Sequence, residues 1–341
     1  MGEGKHFEIA GSRLRILSAT CGINSKTHKP EVSLSKKAFA VIQDRLRLPD
    51  YFLTNIPRDH LAFATPFSSN TGKVQLHGLI FKLAFYRPKF YQVSISYYPE
   101  LNLTYGLVLA RNPCDVTVPL LSLLETYESK PDLAVHPLLL PIAAIGREID
   151  RTRRRIHRWD KDVDELEEVM GQHEYEGRPL GNPLEMDFTS KTRKLNYLSK
   201  RVGVDILHLG YVKFSLENVE SWSKSSICGG KESDGVSEPI CHAMKERTTM
   251  MKEDCRSLLL FAEYEEKRMK ILIQAVYQFM AQKDARVNIE LALNSAAIAK
   301  ASKEDSAIMR QIAIETKRDS SAMKTIALLG MLFLPGTFVA V

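Results

Sequence analysis

Two hydrophobic patterns divide the first part of the chain into strands and a helix. Apolar and polar residues alternate along two segments that flank Pro99–Asn102, namely Tyr91, Val93, Ile95 and Tyr97 before it and Leu103, Tyr105, Leu107 and Leu109 after it. Alternation on both sides of a turn predicts a β-hairpin. Apolar runs at Arg13–Ala19 and Leu79–Leu83 predict further strands, and Ser35–Leu46 predicts a helix. We therefore expect a mixed α/β cytosolic domain over residues 1–130.

From Val118 onwards the apolar residues recur at helical spacing. Pro141 is expected to lie in the first turn of an amphipathic helix that continues to about Met170, because proline is tolerated there. After a break rich in glycine and proline, a second helix is predicted from Asp187 to Val219. Together they predict long antiparallel helices over residues 131–222. A Gly-, Ser-, Lys- and Glu-rich segment then predicts a flexible connection over Ser221–Glu238, which we assign as a linker at 223–239.

The longest pattern is a stretch without helix breakers. No glycine or proline occurs from Ile240 to Leu329, where ordinary frequencies would place about ten. The stretch is rich in strong helix formers. It predicts a stalk helix region over residues 240–324, with one break near residues 255–257 that would make a helix pair. The expected fold class is α+β, with a long C-terminal helix that runs into a transmembrane helix.

An evenly spaced stripe marks the distal part of this region. Its members recur at alternating spacings of four and three residues: Val287, Leu291, Asn294, Ile298, Ala301, Asp305, Ile308 and Ile312. This spacing is typical of a coiled-coil seam. The polar members Asn294 and Asp305 would set register or oligomeric state, or would line water within the seam. The alternative is a helix that packs on its own domain.

The last segment, Thr325–Val341, carries no charged residue. Its 17 residues would span about 25 Å as a helix, slightly less than the roughly 30 Å of hydrocarbon in a bilayer. We expect an incomplete transmembrane helix rather than a buried soluble one, with Lys317, Arg318 and Lys324 keeping the bulk of the chain in the cytosol. The lipid bilayer is then a partner. The residues that characterise this membrane segment are Thr325, Gly330, Phe333, Pro335, Gly336, Phe338 and Val341.

Charge and composition exclude several classes of protein. The chain carries 47 Lys and Arg against 41 Asp and Glu, and 44% of its residues are hydrophobic. These values are those of an ordinary folded protein rather than a disordered tail or a transporter with many spans. A basic cluster at 147–158 lacks interleaved aromatic residues, so no nucleic-acid partner is expected. Five widely spaced cysteines without a CxxC motif indicate reduced thiols.

No catalytic motif emerges, so neither an enzyme nor a bound cofactor is expected. The dense acidic run from Asp160 to Glu168 is interpreted as the solvated face of a helix. The alternative interpretation is a regulatory Mg²⁺ site, since hard cations prefer oxygen ligands. The pattern assigns no individual metal ligand.

The C-terminal residues resemble a known family. The run KRDSSAMKTIALLGMLFLPGTFVAV at Lys317–Val341 is similar to the end of the stalk helix and the first membrane helix of CorA-like divalent-cation transporters, especially their divergent fungal branch. Val276–Ala292 and His136–Pro141 support the resemblance. It is strong over Leu258–Val341, moderate over 118–222 and weak in the first hundred residues.

In that family five subunits form a funnel of α/β cytosolic domains, and one stalk helix per subunit lines a central pore. The resemblance implies a homo-oligomer, a pentamer, with Mg²⁺ or a similar divalent cation as the transported or regulatory ion. It places pore-facing positions on Met323, Ile326, Leu334 and Thr337. With Gly330 and Val341 these residues recur at spacings of 3, 4, 4, 3 and 4, which is one face of a helix. Apolar rings would gate by dewetting, and Thr337 hydroxyls would ligate a hydrated cation.

The chain ends at Val341, before the Gly-Met-Asn signature and second membrane helix of that family. We therefore expect a truncated or divergent transporter subunit. The alternative is a membrane-tethered, non-conducting interaction or scaffold protein. A third hypothesis, a soluble helical scaffold whose apolar tail packs on itself, predicts a chain that stays dispersed without detergent.

Overall fold

The structure is a computed structural model of the 341-residue chain. It describes residues 6–7, 14–23, 26, 30–53, 63–71, 74–86, 89–126, 136–173, 176–177, 181–227 and 238–338. The chain divides into two units, the first made of Met1–Gly181 and Thr189–Ile273 and the second of Asn182–Phe188 and Gln274–Val341.

The first unit contains a mixed β-sheet. Its seven strands are β1 (His6–Phe7), β2 (Leu14–Ile23), β3 (Pro30–Val32), β4 (Phe63–Thr71), β5 (Val74–Tyr86), β6 (Lys89–Tyr98) and β7 (Leu103–Ala110). Along the sheet the order is β1-β2-β7-β6-β5-β4, and β3 pairs with β2. Only the β2–β7 pairing is parallel among these strands; the others are antiparallel.

The predicted hairpin is confirmed by strands β6 and β7. Val93 lies opposite Val108, and Tyr97 lies opposite Thr104. A short 3-10 turn at Pro99–Leu101 joins the two strands. The two apolar rows face opposite sides of the sheet: Val93, Ile95 and Tyr97 of β6 belong to one apolar layer, and Leu107 and Leu109 of β7 belong to the other.

One face of the sheet is covered by helix α1 (Lys36–Leu46). Ser35 caps this helix, since its hydroxyl accepts a hydrogen bond from the amide of Ala38 at 3.1 Å. Two side chains of β6 donate hydrogen bonds to backbone carbonyls at and after the end of α1. Ser96 Oγ donates to the carbonyl of Leu46 at 2.6 Å, and Gln92 Nε2 donates to the carbonyl of Phe52 at 2.7 Å. The apolar layer here contains Ala19, Cys21, Leu46, Leu48, Phe52, Ile80, Leu107 and Leu109.

The other face of the sheet packs against helices, which form the larger core. These are α2 (Cys114–Thr126), α3 (Leu139–Met170), α4 (Phe188–Ser226) and the first part of α5 (Glu238–Phe338). The shared core includes Phe81, Ile95 and Val108 from the sheet and Ile145, Leu216, Trp222 and Leu258 from the helices. The expected N-terminal α/β domain with long helices is therefore confirmed as the fold class, together with a long C-terminal helix.

Helices α3 and α4 run antiparallel, as predicted. Arg155 of α3 binds Asp205 of α4 at 2.8 Å, whereas Lys194, earlier in α4, binds Asp162, later in α3, at 3.0 Å. The predicted end of α3 at Met170 is confirmed, with Gly171 as its cap at φ 63°. Helix α4 is longer than predicted, because it continues to Ser226. Residues 221–226 of the flexible connection expected over Ser221–Glu238 are therefore helical, and residues 228–237 lie outside the described part of the chain.

A charged cluster lies buried between α3 and α4. Glu148 accepts a hydrogen bond from Arg151 Nη1 at 2.7 Å, and its other oxygen lies 3.2 Å from His208 Nε2. Burial raises the pKa of Glu148, but His208 and Arg151 outweigh it and hold the pKa at about 2. One helical turn away, Asp205 accepts hydrogen bonds from Arg155 and from the Trp159 indole, both at 2.9 Å. Each buried carboxylate therefore has partners on α3.

The break predicted near residues 255–257 is wrong. Helix α5 is continuous over its 101 residues. Cys255 lies inside it, is buried, and its thiol donates to the carbonyl of Leu209 at 3.5 Å. Nothing in the local sequence ends the helix there, since the stretch contains neither glycine nor proline.

The second unit consists of a short segment and the distal part of α5. The segment holds a 3-10 turn at Pro183–Glu185, capped by the side chain of Asn182. The Lys283 ammonium lies 5.3 Å from the centre of the Phe188 ring, a cation–π contact.

Candidate functional site

The distal part of α5 is a helix whose side chains are uncovered. Every residue from 280 to 329 is exposed. The segment is helical because it consists of strong helix formers without a breaker. An isolated helix gains little stability in water from propensity alone, and most helices in proteins are stabilised by packing an apolar face. This segment carries such a face without a partner inside the described part of the chain.

The predicted seam residues lie on that uncovered face. Val287 is 47% exposed, Leu291 61% and Ile298 70%, while Ile308 and Ile312 are more than half exposed. The polar members Asn294 and Asp305 are exposed too. Their spacing on a continuous helix puts all of them along one stripe.

A second apolar stripe was missed from the sequence. Ile289, Leu293 and Ile314 are each about 60% exposed or more. At 100° per residue they lie roughly opposite the seam. The signal was present, since Leu293 and Ile314 are three heptads apart. We name the two surfaces the seam stripe, defined by Val287, Leu291, Ile298, Ile308 and Ile312, and the back stripe, defined by Ile289, Leu293 and Ile314.

The residues proposed as pore-facing fall on the same helix. Met323 and Ile326 are exposed, at 72% and 68%. A Cβ added at Gly330 would meet no atom within 4 Å. The helix continues through Leu334 and Thr337 to Phe338, with Pro335 and Gly336 inside it. The side chains from Phe333 onwards and the whole of Val341 lie outside the described residues.

Within the part of the chain that the structure describes, no helix holds an apolar stretch long enough to cross a membrane. The side chains of residues 333–341 lie outside the described part of the chain, so the transmembrane helix expected at residues 325–341 stays a prediction.

Three acids of the run on α3 bind a cation of another helix, whereas Glu165 of the same run is 70% exposed. The guanidinium of Arg268, on α5, lies 2.7 Å from carboxylate oxygens of Glu167 and Asp164 and 3.0 Å from those of Asp160 and Glu265. Asp160, Asp164 and Glu167 share one face of α3 through their spacing of four and three. The interpretation as a solvated surface was wrong for these three acids because the cation that binds them is about a hundred residues away in sequence. We name these five residues the Arg268 cluster.

The Arg268 cluster is strongly electrostatic. Burial lowers the pKa of Arg268, but the hydrogen bonds that it donates to Glu167, Asp164 and Glu265 outweigh burial and raise the pKa above its usual range. Burial of Glu265, whose side chain is fully covered, raises the pKa of that carboxyl. Across the described residues, no group of three or more His, Cys, Asp or Glu side chains is arranged to hold a metal ion. The cluster thus uses a guanidinium as its cation.

Comparisons with known proteins complete the description. No protein-family model matches the chain, and no curated protein matches it. One similar solved structure is the soluble domain of CorA from Methanocaldococcus jannaschii, at 9% identity and a TM-score of 0.44, covering 80% of this chain and 91% of that one. Another is the ZntB cytoplasmic domain from Vibrio parahaemolyticus, at 8% identity and a TM-score of 0.42, covering 82% of this chain and 92% of that one. TM-scores below 0.5 do not establish a common fold, so neither structure assigns one to this chain.

Proposed function

We propose that this chain is a subunit of a self-assembling divalent-cation transporter, whose long C-terminal helices line the conduction pathway. The observation that carries the proposal is the uncovered helix between residues 280 and 329, with its seam stripe and back stripe. The C-terminal resemblance to CorA-like transporters supplies the transported species, Mg²⁺ or a similar divalent cation. The proposal assigns no enzymatic activity to the chain.

The energetic argument for self-assembly starts from the seam stripe. Burying a Val, Leu or Ile side chain contributes about 1.5–3 kcal/mol. The stripe holds five such residues, all close to or above half exposure. A parallel copy of the same helix would offer each of them an identical neighbour at the same height. A second copy of this chain is therefore the partner that matches the pattern.

The back stripe favours more than two copies. A two-stranded coiled coil covers one face of each helix, which would leave Ile289, Leu293 and Ile314 in water. In a ring, each helix contacts two neighbours and can cover two faces. The count of five comes from the resemblance alone. In such a ring Asn294 and Asp305 would face one another, and polar groups there would suit a seam that holds water and cations.

The C-terminal end of α5 would then enter the bilayer. Support for this comes from the sequence, because the segment from Thr325 onwards has no charge and follows three basic residues. Met323, Ile326 and Leu334 would form apolar rings in the pathway, and Thr337 would present hydroxyl oxygens. Conduction would be passive, and the bulk of each subunit would remain in the cytosol.

The first experiment tests assembly. Ile298→Glu puts a carboxylate into the seam stripe, and Ser306→Glu puts the same group on the same helix away from both stripes. We expect Ile298→Glu to dissociate the full-length gene product in detergent, as measured by analytical ultracentrifugation. Ser306→Glu should leave its mass unchanged. Equal masses for both variants and the wild type would contradict self-assembly through the seam.

The second experiment tests conduction. Cells that express the full-length gene product should take up Mg²⁺ faster than cells without it. Leu334→Asp should change that uptake strongly, because it replaces an apolar ring with charge. Oligomers that support no uptake would instead favour the non-conducting, membrane-tethered alternative. Uptake that is unaffected by Leu334→Asp would show that the pore assignment is wrong.

A further inference from the structure

A cavity of about 420 Å³ lies on the α1 side of the sheet, beside the C-terminal end of α1. Its volume is within the range of small-molecule sites. Two arginines of the α1 end, Arg45 and Arg47, and two tyrosines of the sheet, Tyr98 and Tyr105, line it, and Leu76 contributes apolar surface. We name it the tyrosine–arginine cavity. It belongs entirely to the first unit and is separate from the helix discussed above.

The walls of this cavity are held in place before any ligand arrives. Tyr98 Oη donates a hydrogen bond to the carbonyl of Arg45 at 2.6 Å, which ties the sheet to the last turn of α1. The Tyr98 and Tyr105 rings meet edge to face, with their centroids 5.9 Å apart. Both tyrosines are half-buried. A rigid site loses little conformational entropy on binding, which favours affinity.

The charge of the cavity favours an anion. Among the described residues Arg47 pairs with Asp44, at 3.2 Å, and the two side chains are 45% and 74% exposed. Such surface pairs contribute little and exchange partners readily. Arg45 is exposed, and its guanidinium makes no ion pair with any of the described residues. Two guanidinium groups against one carboxylate leave one positive charge available to a ligand.

Backbone strain also concentrates here. Among the described residues, two that are not glycine have positive φ, Arg47 at 50° and Asn102 at 44°. Arg47 ends α1 in the left-handed conformation, where glycine is the favoured residue. Asn102 lies between Leu101 and Leu103, which also line the cavity. Arginine in this conformation costs conformational energy that glycine would not, and Arg47 also lines the cavity.

We propose that the tyrosine–arginine cavity binds a small organic anion that combines a planar ring with a phosphate group, as a nucleoside monophosphate does. Arg45 and Arg47 donate hydrogen bonds to the phosphate, since guanidinium groups match phosphate oxygens in geometry. The Tyr98 and Tyr105 rings contact the planar ring. Leu76 excludes water from the inner wall, because it is 1% exposed.

The test is isothermal titration calorimetry of the full chain with AMP, with adenosine and inorganic phosphate as separate probes. We expect saturable binding of AMP that is tighter than the binding of either fragment. Arg45→Gln should weaken it about tenfold or more, because a charge-assisted hydrogen bond is lost. Tyr105→Leu should weaken it several-fold. The matched control is Arg256→Gln on α5, whose side chain is 73% exposed and remote in sequence from the cavity.

Several outcomes would overturn the proposal. One is the absence of saturable binding heat with AMP at millimolar concentration. Another is an equal affinity for AMP in the wild type and in Arg45→Gln. Inorganic phosphate binding as tightly as AMP would remove the role of the tyrosine rings, and adenosine binding as tightly would remove that of the arginines. Circular dichroism checks that each variant is folded, which is expected for Arg45→Gln because that side chain is exposed. Loss of AMP binding would leave Mg²⁺ uptake as an independent test of transport.

Discussion

The two parts of helix α5 carry the same hydrophobic spacing and differ completely in burial. In the proximal part, Met244, Met251, Cys255, Leu258 and Ala262 recur at heptad-like spacings and are all buried in the core of the first unit. In the distal part, the seam stripe continues with spacings of four and three, and its residues are exposed. The spacing of apolar residues therefore indicates that one face of the helix packs against a partner. The spacing does not indicate whether that partner belongs to the same chain.

The comparison predicts effects of very different size for the same Leu→Ala substitution made in the two parts of α5. Leu258→Ala removes a side chain that is 7% exposed, and we expect it to lower the free energy of unfolding by about 3–4 kcal/mol. Leu291→Ala removes one that is 61% exposed, and should change the stability of the dissociated chain by about 0.5 kcal/mol or less. Denaturant unfolding at a concentration where the chain is monomeric measures both values. Equal losses would mean that the distal face is covered within the chain.

A pH titration probes the buried charges of the first unit. The pKa of Glu148 is held at about 2 by His208 and Arg151, below its ordinary value of 4.5. A lowered carboxyl pKa stabilises the folded state above the unfolded pKa, and this stabilisation is lost as pH falls from about 4.5 towards 2. We expect about 3 kcal/mol to disappear over that window.

The measurement for Glu148 is the difference in unfolding free energy between the wild type and Glu148→Gln. It should be largest above pH 5 and should shrink as the pH falls towards 2, because Glu148 takes up its proton first in the unfolded chain and then, near its pKa of about 2, in the folded chain. A difference that stays constant with pH would mean that the charge of Glu148 does not stabilise the fold. Distal residues of α5 have no part in this effect, so Leu291→Ala serves as the matched reference.

The Arg268 cluster gives the smallest of the three effects. Arg268→Ala leaves four carboxylates without their shared cation, and we expect a loss of about 2 kcal/mol, reduced from the value for a fully buried pair by partial exposure of Asp160 and Asp164. Arg256→Ala is the control, since its pair with Glu253 is exposed and should contribute about 0.5 kcal/mol or less. Thermal unfolding at neutral pH compares the two. Equal melting temperatures would show that the cluster contributes nothing.

Local patterns were sufficient for most of the elements. Alternation around Pro99–Asn102 predicted the hairpin, because the side-chain period of a strand is visible in a few residues. The end of α3 at Met170 followed from the glycine after it. The predicted break at 255–257 failed because no residue there breaks a helix, and Cys255 faces the carbonyl of Leu209 on α4. That contact joins residues 46 positions apart and leaves no local signal.

The candidate sites depended on the sequence to different degrees. The seam stripe was predicted from its spacing, and its five apolar side chains are exposed on α5. The Arg268 cluster was predicted only in part, because the acidic run on α3 was recognised from the sequence and its cation partner, Arg268, was not. The tyrosine–arginine cavity was not visible at all, because Arg45 and Tyr98 meet only when α1 packs across the sheet.

The sequence by itself determined most of the segments that form helices and strands, and which of their faces must be covered. These properties follow from steric limits on the backbone and from the periodicity of apolar side chains, both of which act over a few residues. The tertiary structure alone decided that a guanidinium binds three acids of the run on α3, and that two arginines and two tyrosines share one cavity. Those outcomes depend on contacts between residues far apart in sequence, whose energies are set by distance and burial after the chain has folded.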